Sequence, residues 1–109
     1  MYKIYFYVPE SHLESVKQAI FHCGAGKMGN YDCCAWQTLG TGQFRALNGS
    51  NPAIGQLNQL AKVREYKVET VCEDDFLQLV LQALRQAHPY EKPAYGYWKI
   101  TPDGNMIVT

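Results

Sequence analysis

The 109-residue chain carries ten basic and ten acidic side chains, so its formal net charge is zero. A balanced charge argues against electrostatic capture of nucleic acid, and no apolar run reaches the roughly 20 residues that a membrane helix needs. The length suits one domain over residues 1–109, large enough to bury a core without disulfides or metal. No signal-peptide pattern opens the chain, which predicts a cytoplasmic protein whose four cysteines are reduced thiols.

The first predicted elements are a strand over residues 2–8 and a helix that begins near residues 9–12. Apolar residues alternate with Tyr5 and Tyr7 in the strand, which leaves a tyrosine face for solvent or for another subunit to cover. The helix is indicated by apolar residues at helical spacing, and Gly24 and Gly26 are expected to end it. These apolar residues are Leu13, Val16, Ile20 and Cys23.

The segment from Gly24 to Gly29 has the letters of a dinucleotide-binding loop, G-x-G-x-x-G. That fingerprint requires a strand before it and a helix after it, whereas here a helix precedes and a strand follows. Two interpretations remain open. Backbone N–H groups beside Lys27 could form a small anion-binding nest, or the segment is a flexible link, which we favour.

A hairpin is predicted next, with strands over residues 31–39 and 42–47 joined at Gly40 and Thr41. Cys33 and Cys34 would then point to opposite faces of the first strand, so both could not ligate one metal. We interpret them as small hydrophobic residues of a core or interface.

The second half of the chain is predicted to contain a turn at residues 48–52, a short helical or irregular segment over 54–61, a strand over 65–72 and a helix. The helix has a broad apolar stripe that runs to Ala87, and the acidic run over residues 73–75 precedes it. Negative charge favours a helix N-terminus, so we interpret this run as capping rather than as a cation site.

The stretch from residue 87 to residue 95 is predicted to be a rigid turn between that helix and a strand over residues 94–100. Pro89 must end the helix near Ala87 or His88, and Pro93 fixes the backbone before the strand. The polar residues of the turn either converge on a ligand or bind local backbone groups, with His88 near a helix C-terminus, where a partial positive charge is favourable. We favour the second interpretation. Residues 101–109 are expected to form a turn and a tail that could pair as an edge strand.

This order of elements indicates an α+β fold. Two helices and antiparallel strands in this arrangement favour a ferredoxin-like βαββαβ sandwich, with both helices on one face of the sheet.

Several segments in order along the chain resemble the YqfO family, and more narrowly the CutA/PII-like domain inserted in the Nif-three-like dinuclear-metal proteins. In this sequence they are Tyr7-Val8-Pro9-Glu10, Gly24-Ala25-Gly26, Gly29-Asn30-Tyr31, Gly40-Thr41-Gly42, Phe44-Arg45, Asn51-Pro52, Ile54-Gly55, Val68-Glu69-Thr70, Ala87-His88-Pro89-Tyr90-Glu91 and Pro93-Ala94-Tyr95. Lys92 stands where the family pattern has a second glutamate.

The resemblance implies a CutA- and PII-like fold, assembly into homo-oligomers, often trimers, and the small-ligand sensing that is common in PII-like modules. It implies no catalytic residue, no cofactor and no metal ligand, because the dinuclear site of the larger proteins lies in flanking domains. PII itself has a long loop between its second and third strands, whereas the predicted hairpin leaves a tight turn over residues 39–43.

The function we predict is a non-enzymatic oligomeric binding or regulatory domain of the YqfO type, with a small ligand or a protein partner bound where subunits meet. The candidate ligand-binding residues are His88, Tyr90, Glu91, Tyr95, Lys27, Asn30, Tyr31 and Arg45. The alternative is a CutA-like divalent metal-binding protein, because imidazole and thiolate suit copper or zinc. Its ligands would come from His12, His22, Cys23, His88 and Glu91. A third hypothesis is an enzyme that uses His88 and Glu91 as an acid and base pair.

Overall fold

A computed structural model describes residues 1–101 and contains four strands and two helices. The strands are β1 (Tyr2–Pro9), β2 (Ala35–Arg45), β3 (Leu60–Cys72) and β4 (Tyr95–Lys99). The helices are α1 (Leu13–His22) and α2 (Leu77–Ala87), and each is preceded by a single 3-10 turn, Glu10–His12 and Asp74–Phe76 respectively. The predicted turn and tail at residues 101–109 lie outside the described residues, apart from Thr101.

The strands form one antiparallel sheet in the order β2-β3-β1-β4. Both helices cover one face of it, because Ile4, Phe6 and Val8 of β1 and Val68 and Cys72 of β3 alternate along their strands and are buried against α1 and α2. This is the ferredoxin-like βαββαβ arrangement, and the predicted fold class is confirmed. Within the described residues, no helix is long and apolar enough to cross a membrane.

The core lies between the sheet and the helix pair. Side chains from all these elements are fully buried there, including Ile4, Phe6, Val8, Val16, Ile20, Val68, Val80 and Leu84. Fully burying an aliphatic side chain of this kind contributes about 1.5–3 kcal/mol. The alternation in β1 and the helical spacing in α1 and α2 therefore predicted the core correctly.

The predicted hairpin at Gly40 and Thr41 is wrong. Strand β2 runs continuously through both residues, which pair with Glu65 and Arg64 of β3. The β2–β3 connection instead comprises residues 46–59, so the expected tight turn, and with it the contrast to the long PII loop, is also wrong. Gly40 and Gly42 favoured a turn by their local chemistry, but the long pairing with β3 holds them extended.

Cys33 and Cys34 are the second correction, because they precede β2 rather than lying within it. Cys33 has a left-handed backbone conformation with φ of 55° and an exposed side chain. Cys34 donates its backbone N–H to Gly26 O at 2.9 Å, which ties this segment to the end of α1. Cys33 is therefore not a core residue of this chain.

Candidate functional site

A cleft of about 470 Å³ opens between the β2–β3 connection and the turn that follows α2. This volume lies within the range of small-molecule sites. Its walls are mostly aromatic and aliphatic, with a few ionisable groups among them. The lining residues are Tyr7, Gln43, Phe44, Arg45, Ala46, Leu47, Ser50, Pro52, Ala53, Ile54, Glu65, Tyr90, Glu91, Lys92 and Ala94.

The two segments that flank the cleft are bonded to each other. The backbone N–H of Asn51, in the β2–β3 connection, donates to Glu91 Oε2 at 3.0 Å. The rings of Phe44 and Tyr90 pack together from opposite sides with their centroids 6.2 Å apart. These two contacts connect the wall formed by β2 and the β2–β3 connection to the wall formed by the turn after α2.

His88 fixes the position of Tyr90. The His88 ring is buried, with Nε2 2.6 Å from Tyr7 O and Nδ1 3.1 Å from the backbone N of Tyr90. A carbonyl can only accept and a backbone N–H can only donate, so the imidazole is neutral and carries its proton on Nε2. The rings of His88 and Tyr90 pack against each other at an angle of 57°, with their centroids 4.9 Å apart. His88 thus joins β1 to the cleft wall.

Burial lowers the pKa of His88, and the hydrogen bond to Tyr7 O opposes this shift only in part. The favourable position of a partial positive charge at the helix C-terminus is therefore not used by this neutral imidazole, whereas the interpretation that His88 binds local backbone groups agrees with its contacts. Since both ring nitrogens are engaged, His88 does not reach the cleft as a ligand or as a general base.

The Tyr90 hydroxyl is buried and has no hydrogen-bond partner among the described residues. Burial raises the pKa of Tyr90, and the nearby negative charge of Glu65 adds to the increase. An unpaired buried hydroxyl costs about 1–3 kcal/mol, so a hydrogen-bond partner for this group would stabilise the protein.

Glu65 is the ionisable group that shares this end of the cleft with Tyr90. Its side chain is half-buried and makes no ion pair or side-chain hydrogen bond within residues 1–101. Burial raises its pKa. The sequence-based reasoning did not select Glu65, nor Tyr7 or Phe44, because only the register of β1, β2 and β3 brings them to one place.

Only some of the candidate residues predicted from the sequence lie at the cleft. Arg45, Tyr90 and Glu91 line the cleft, with His88 directly behind Tyr90. Tyr95 lies on β4 and its hydroxyl accepts a hydrogen bond from Arg85 Nη1 at 3.1 Å. The structure does not bring the remaining three, Lys27, Asn30 and Tyr31, to the cleft; they are exposed between α1 and β2.

The glycine-rich segment does not present a free set of backbone N–H groups. Gly26 N donates to Val71 O at 2.7 Å, and Met28 N donates to Tyr31 O at 2.9 Å. Gly24 and Gly26 have positive φ values of 111° and 83°, as expected for a left-handed helix end. The contacts favour a structural link over an anion-binding nest.

The candidate metal ligands are dispersed. In the part of the chain that the structure describes, no three His, Cys, Asp or Glu side chains come together as a metal site. His22 and Cys23 line a shallow groove between the helices, and His12 Nδ1 lies 2.9 Å from Ser11 Oγ. Glu91 bonds the backbone of Asn51 instead of joining His88.

Known proteins similar to this chain are larger. A GTP cyclohydrolase 1 type 2 homolog of Mycobacterium tuberculosis is 44% identical over 96 residues, which are 88% of this chain and 25% of that protein. A homolog of the same name from Halalkalibacterium halodurans is 36% identical over 107 residues. This chain spans about a quarter of the length of these relatives. No family model matches the sequence.

Comparison with solved structures also finds a similar segment within a larger protein. A Bacillus cereus protein related to NIF3 superposes with a TM-score of 0.78 at 34% identity, over 93% of this chain and 26% of that chain. The PII-like protein CutA from Nostoc superposes with a TM-score of 0.65 at 13% identity, over 97% and 85% of the two chains. The first match confirms the resemblance to a segment of the Nif-three-like proteins, and the second shows the CutA-like fold.

Proposed function

We propose, from the homology of this chain to one segment of the Nif-three-like proteins, that it is a non-enzymatic binding or regulatory domain. Residues 1–109 form a single CutA/PII-like domain in this proposal. Its small ligand occupies the cleft between the β2–β3 connection and the turn after α2, and the domain acts as a homo-oligomer.

The observation that carries the proposal is the Tyr90 hydroxyl, buried at the cleft without a partner in the described part of the chain. Folded proteins pair almost all buried polar groups, and exceptions concentrate where function requires them. His88 holds Tyr90 through two contacts, so this unpaired hydroxyl is fixed in position. A rigid wall with one unsatisfied polar group is suited to selective binding.

Assembly is supported by the face of the sheet opposite the helices. Tyr5 and Trp98 pack against each other there at 5.7 Å, and Trp36 of β2 is 61% exposed. Exposed aromatic residues on one face are typical of protein interfaces. Together with the family resemblance, this favours a homo-oligomer and, among the possible forms, a trimer.

The name of the curated relatives refers to a GTP cyclohydrolase. We assign no such reaction to this chain, which corresponds to a minor part of them. The one acid and base pair that the sequence suggested, His88 and Glu91, is engaged in backbone hydrogen bonds. Binding rather than turnover is therefore the role that we propose for this segment.

Native mass spectrometry of the protein as purified from cells tests both parts of the proposal. We expect an oligomer that carries a reproducible extra mass, and loss of that mass in Tyr90→Ala. The variant Tyr97→Ala, which alters an exposed tyrosine on β4, is the control and should keep the mass. A monomer without extra mass at tens of micromolar would overturn the proposal.

A further inference from the structure

We propose that the ligand of the cleft is a small organic cation, whose ammonium group lies against the aromatic wall that Tyr7, Phe44 and Tyr90 contribute to and is attracted by the Glu65 carboxylate. This inference rests on the proposed function, because it names the chemical class of the molecule that the cleft binds.

The first argument is that Glu65 lacks a positive partner in residues 1–101, although basic residues flank it in the sequence. Arg64, on the opposite face of β3, pairs with Glu10 at 2.9 Å. Lys67, two residues away on the same face, has its Nζ 5.8 Å from the centre of the Tyr5 ring. The two nearest cations of the strand are thus directed elsewhere. A half-buried carboxylate of this kind favours a ligand that supplies the missing charge.

The second argument is the aromatic composition of the walls. Tyr7, Phe44 and Tyr90 all line the cleft. The negative face of an aromatic ring attracts a cation, and such contacts recognise quaternary ammonium groups in particular. Aromatic rings and a carboxylate that line the same cleft can together stabilise an ammonium group that has lost part of its water. The Tyr90 hydroxyl adds one hydrogen bond for a polar group of the same ligand.

The remaining charges of the cleft lie at its exposed edges. Arg45 and Lys92 are exposed and positive, and Glu91 is exposed and negative. Water and salt screen charges in such positions, so they influence a bound ligand less than Glu65 does. The half-buried end of the cleft therefore has a negative character that its edges do not cancel.

The site size favours a free small molecule. A volume of about 470 Å³ accommodates an amine with several carbon atoms beside its charged group. A lysine side chain of another protein offers similar chemistry, and a comparison of N-acetyl-lysine methylamide with choline separates the two sources.

Calorimetric titration and amide NMR shifts with choline as the probe test this inference. We expect choline to shift the amide signals of Phe44, Glu65 and Tyr90, and to bind at least tenfold more tightly than its neutral isostere 3,3-dimethylbutan-1-ol. Glu65→Gln should weaken choline binding at least tenfold. Glu69→Gln, which changes a carboxylate of the same strand that pairs with Lys3 at 3.6 Å outside the cleft, should leave it unchanged.

Three results would overturn the assignment. Equal binding of choline and the neutral alcohol, or binding of propionate in place of choline, would contradict the cationic class and leave the cleft as a ligand site. Tighter binding of N-acetyl-lysine methylamide than of choline would assign the site to a protein partner. No shift with any probe would also refute the cationic class, while an extra mass in the native spectrum would still support the proposed function.

Discussion

The Glu65 carboxyl lies against Gly42 of the neighbouring strand, two residues along from Gly40, with which Glu65 pairs. A Cβ atom at position 42 would occupy the space of the Glu65 Oε1 and Cδ atoms. Gly40, two residues earlier on the same strand, has nothing within 4 Å of the corresponding point. Gly42 therefore leaves the room in which the carboxyl rests beside the cleft, and Gly40 has no such role.

This relationship predicts different effects of alanine at the two glycines. Gly42→Ala should displace the Glu65 carboxyl and weaken choline binding at least fivefold. Its free energy of unfolding should change by less than about 1 kcal/mol, because a flexible side chain can move aside. Gly40→Ala should keep the affinity and gain up to about 0.5 kcal/mol of stability from reduced chain entropy.

Urea unfolding and choline titration of both variants measure these effects. In the Glu65→Gln background, Gly42→Ala should cause little further loss of affinity, because both changes act on the same group. Additive losses would contradict the role given to Gly42.

The second prediction concerns the unpaired hydroxyl. Tyr90→Phe removes a buried polar atom that has no partner in the described residues, so the ligand-free protein should become about 1 kcal/mol more stable. The same variant should lose part of its ligand affinity. Tyr97→Phe, at an exposed ring, is the matched control and should change neither quantity. A drop in stability of Tyr90→Phe would mean that the hydroxyl is satisfied in the protein.

The contrast between the fold and the cleft shows what the sequence could predict. The alternation in β1 and the spacing of Val16 and Ile20 are local, and burial of one face follows from them directly. Gly42 misled the prediction because glycine in a strand and glycine in a turn have the same local signature. A glycine is present at position 42 because the side chain of Glu65, 23 residues later in the sequence, lies against it. This contact exists only when β2 and β3 are paired in register.

The sequence predicted those residues of the candidate site whose positions depend on their neighbours in the chain. The turn around Pro89 indicated that Tyr90 and Glu91 are held rigidly, and both line the cleft. His88 belongs to the same turn, but its burial against Tyr7 depends on β1, 81 residues earlier. The charge state of His88 depends on that contact, so its position in the sequence alone does not determine it.

The third prediction addresses assembly. Trp36→Glu places a charge on the exposed aromatic face of the sheet, and we expect it to convert the oligomer to a monomer without unfolding the chain. Leu79→Glu is the matched control, because Leu79 lies on α2 in the opposite layer with a similar exposure of 54%. Sedimentation velocity of both variants distinguishes them. If Leu79→Glu dissociates the oligomer and Trp36→Glu does not, the helix layer forms the interface.

The fourth prediction is a pH dependence that arises from His88. Burial lowers its pKa in the folded chain below the ordinary value of 6.5, so the unfolded chain binds more protons in the interval between the two values. The contribution of His88 is complete above pH 6.5 and is lost progressively as the pH falls from there toward the lower folded value. The free energy of unfolding should therefore decrease from pH 7.5 to pH 5.5.

His88→Gln isolates this effect. The glutamine amide can donate to Tyr7 O but does not titrate, and it leaves the Tyr90 N–H without its acceptor. We expect a loss of about 1–3 kcal/mol at pH 7.5 and a weaker dependence on pH below 6.5. His22→Gln, at an exposed position of α1, is the control and should keep the stability of the unmodified chain at pH 7.5. Urea midpoints at several pH values measure both. An unchanged pH dependence in His88→Gln would contradict a buried neutral imidazole, since no other change in that variant removes a titrating group.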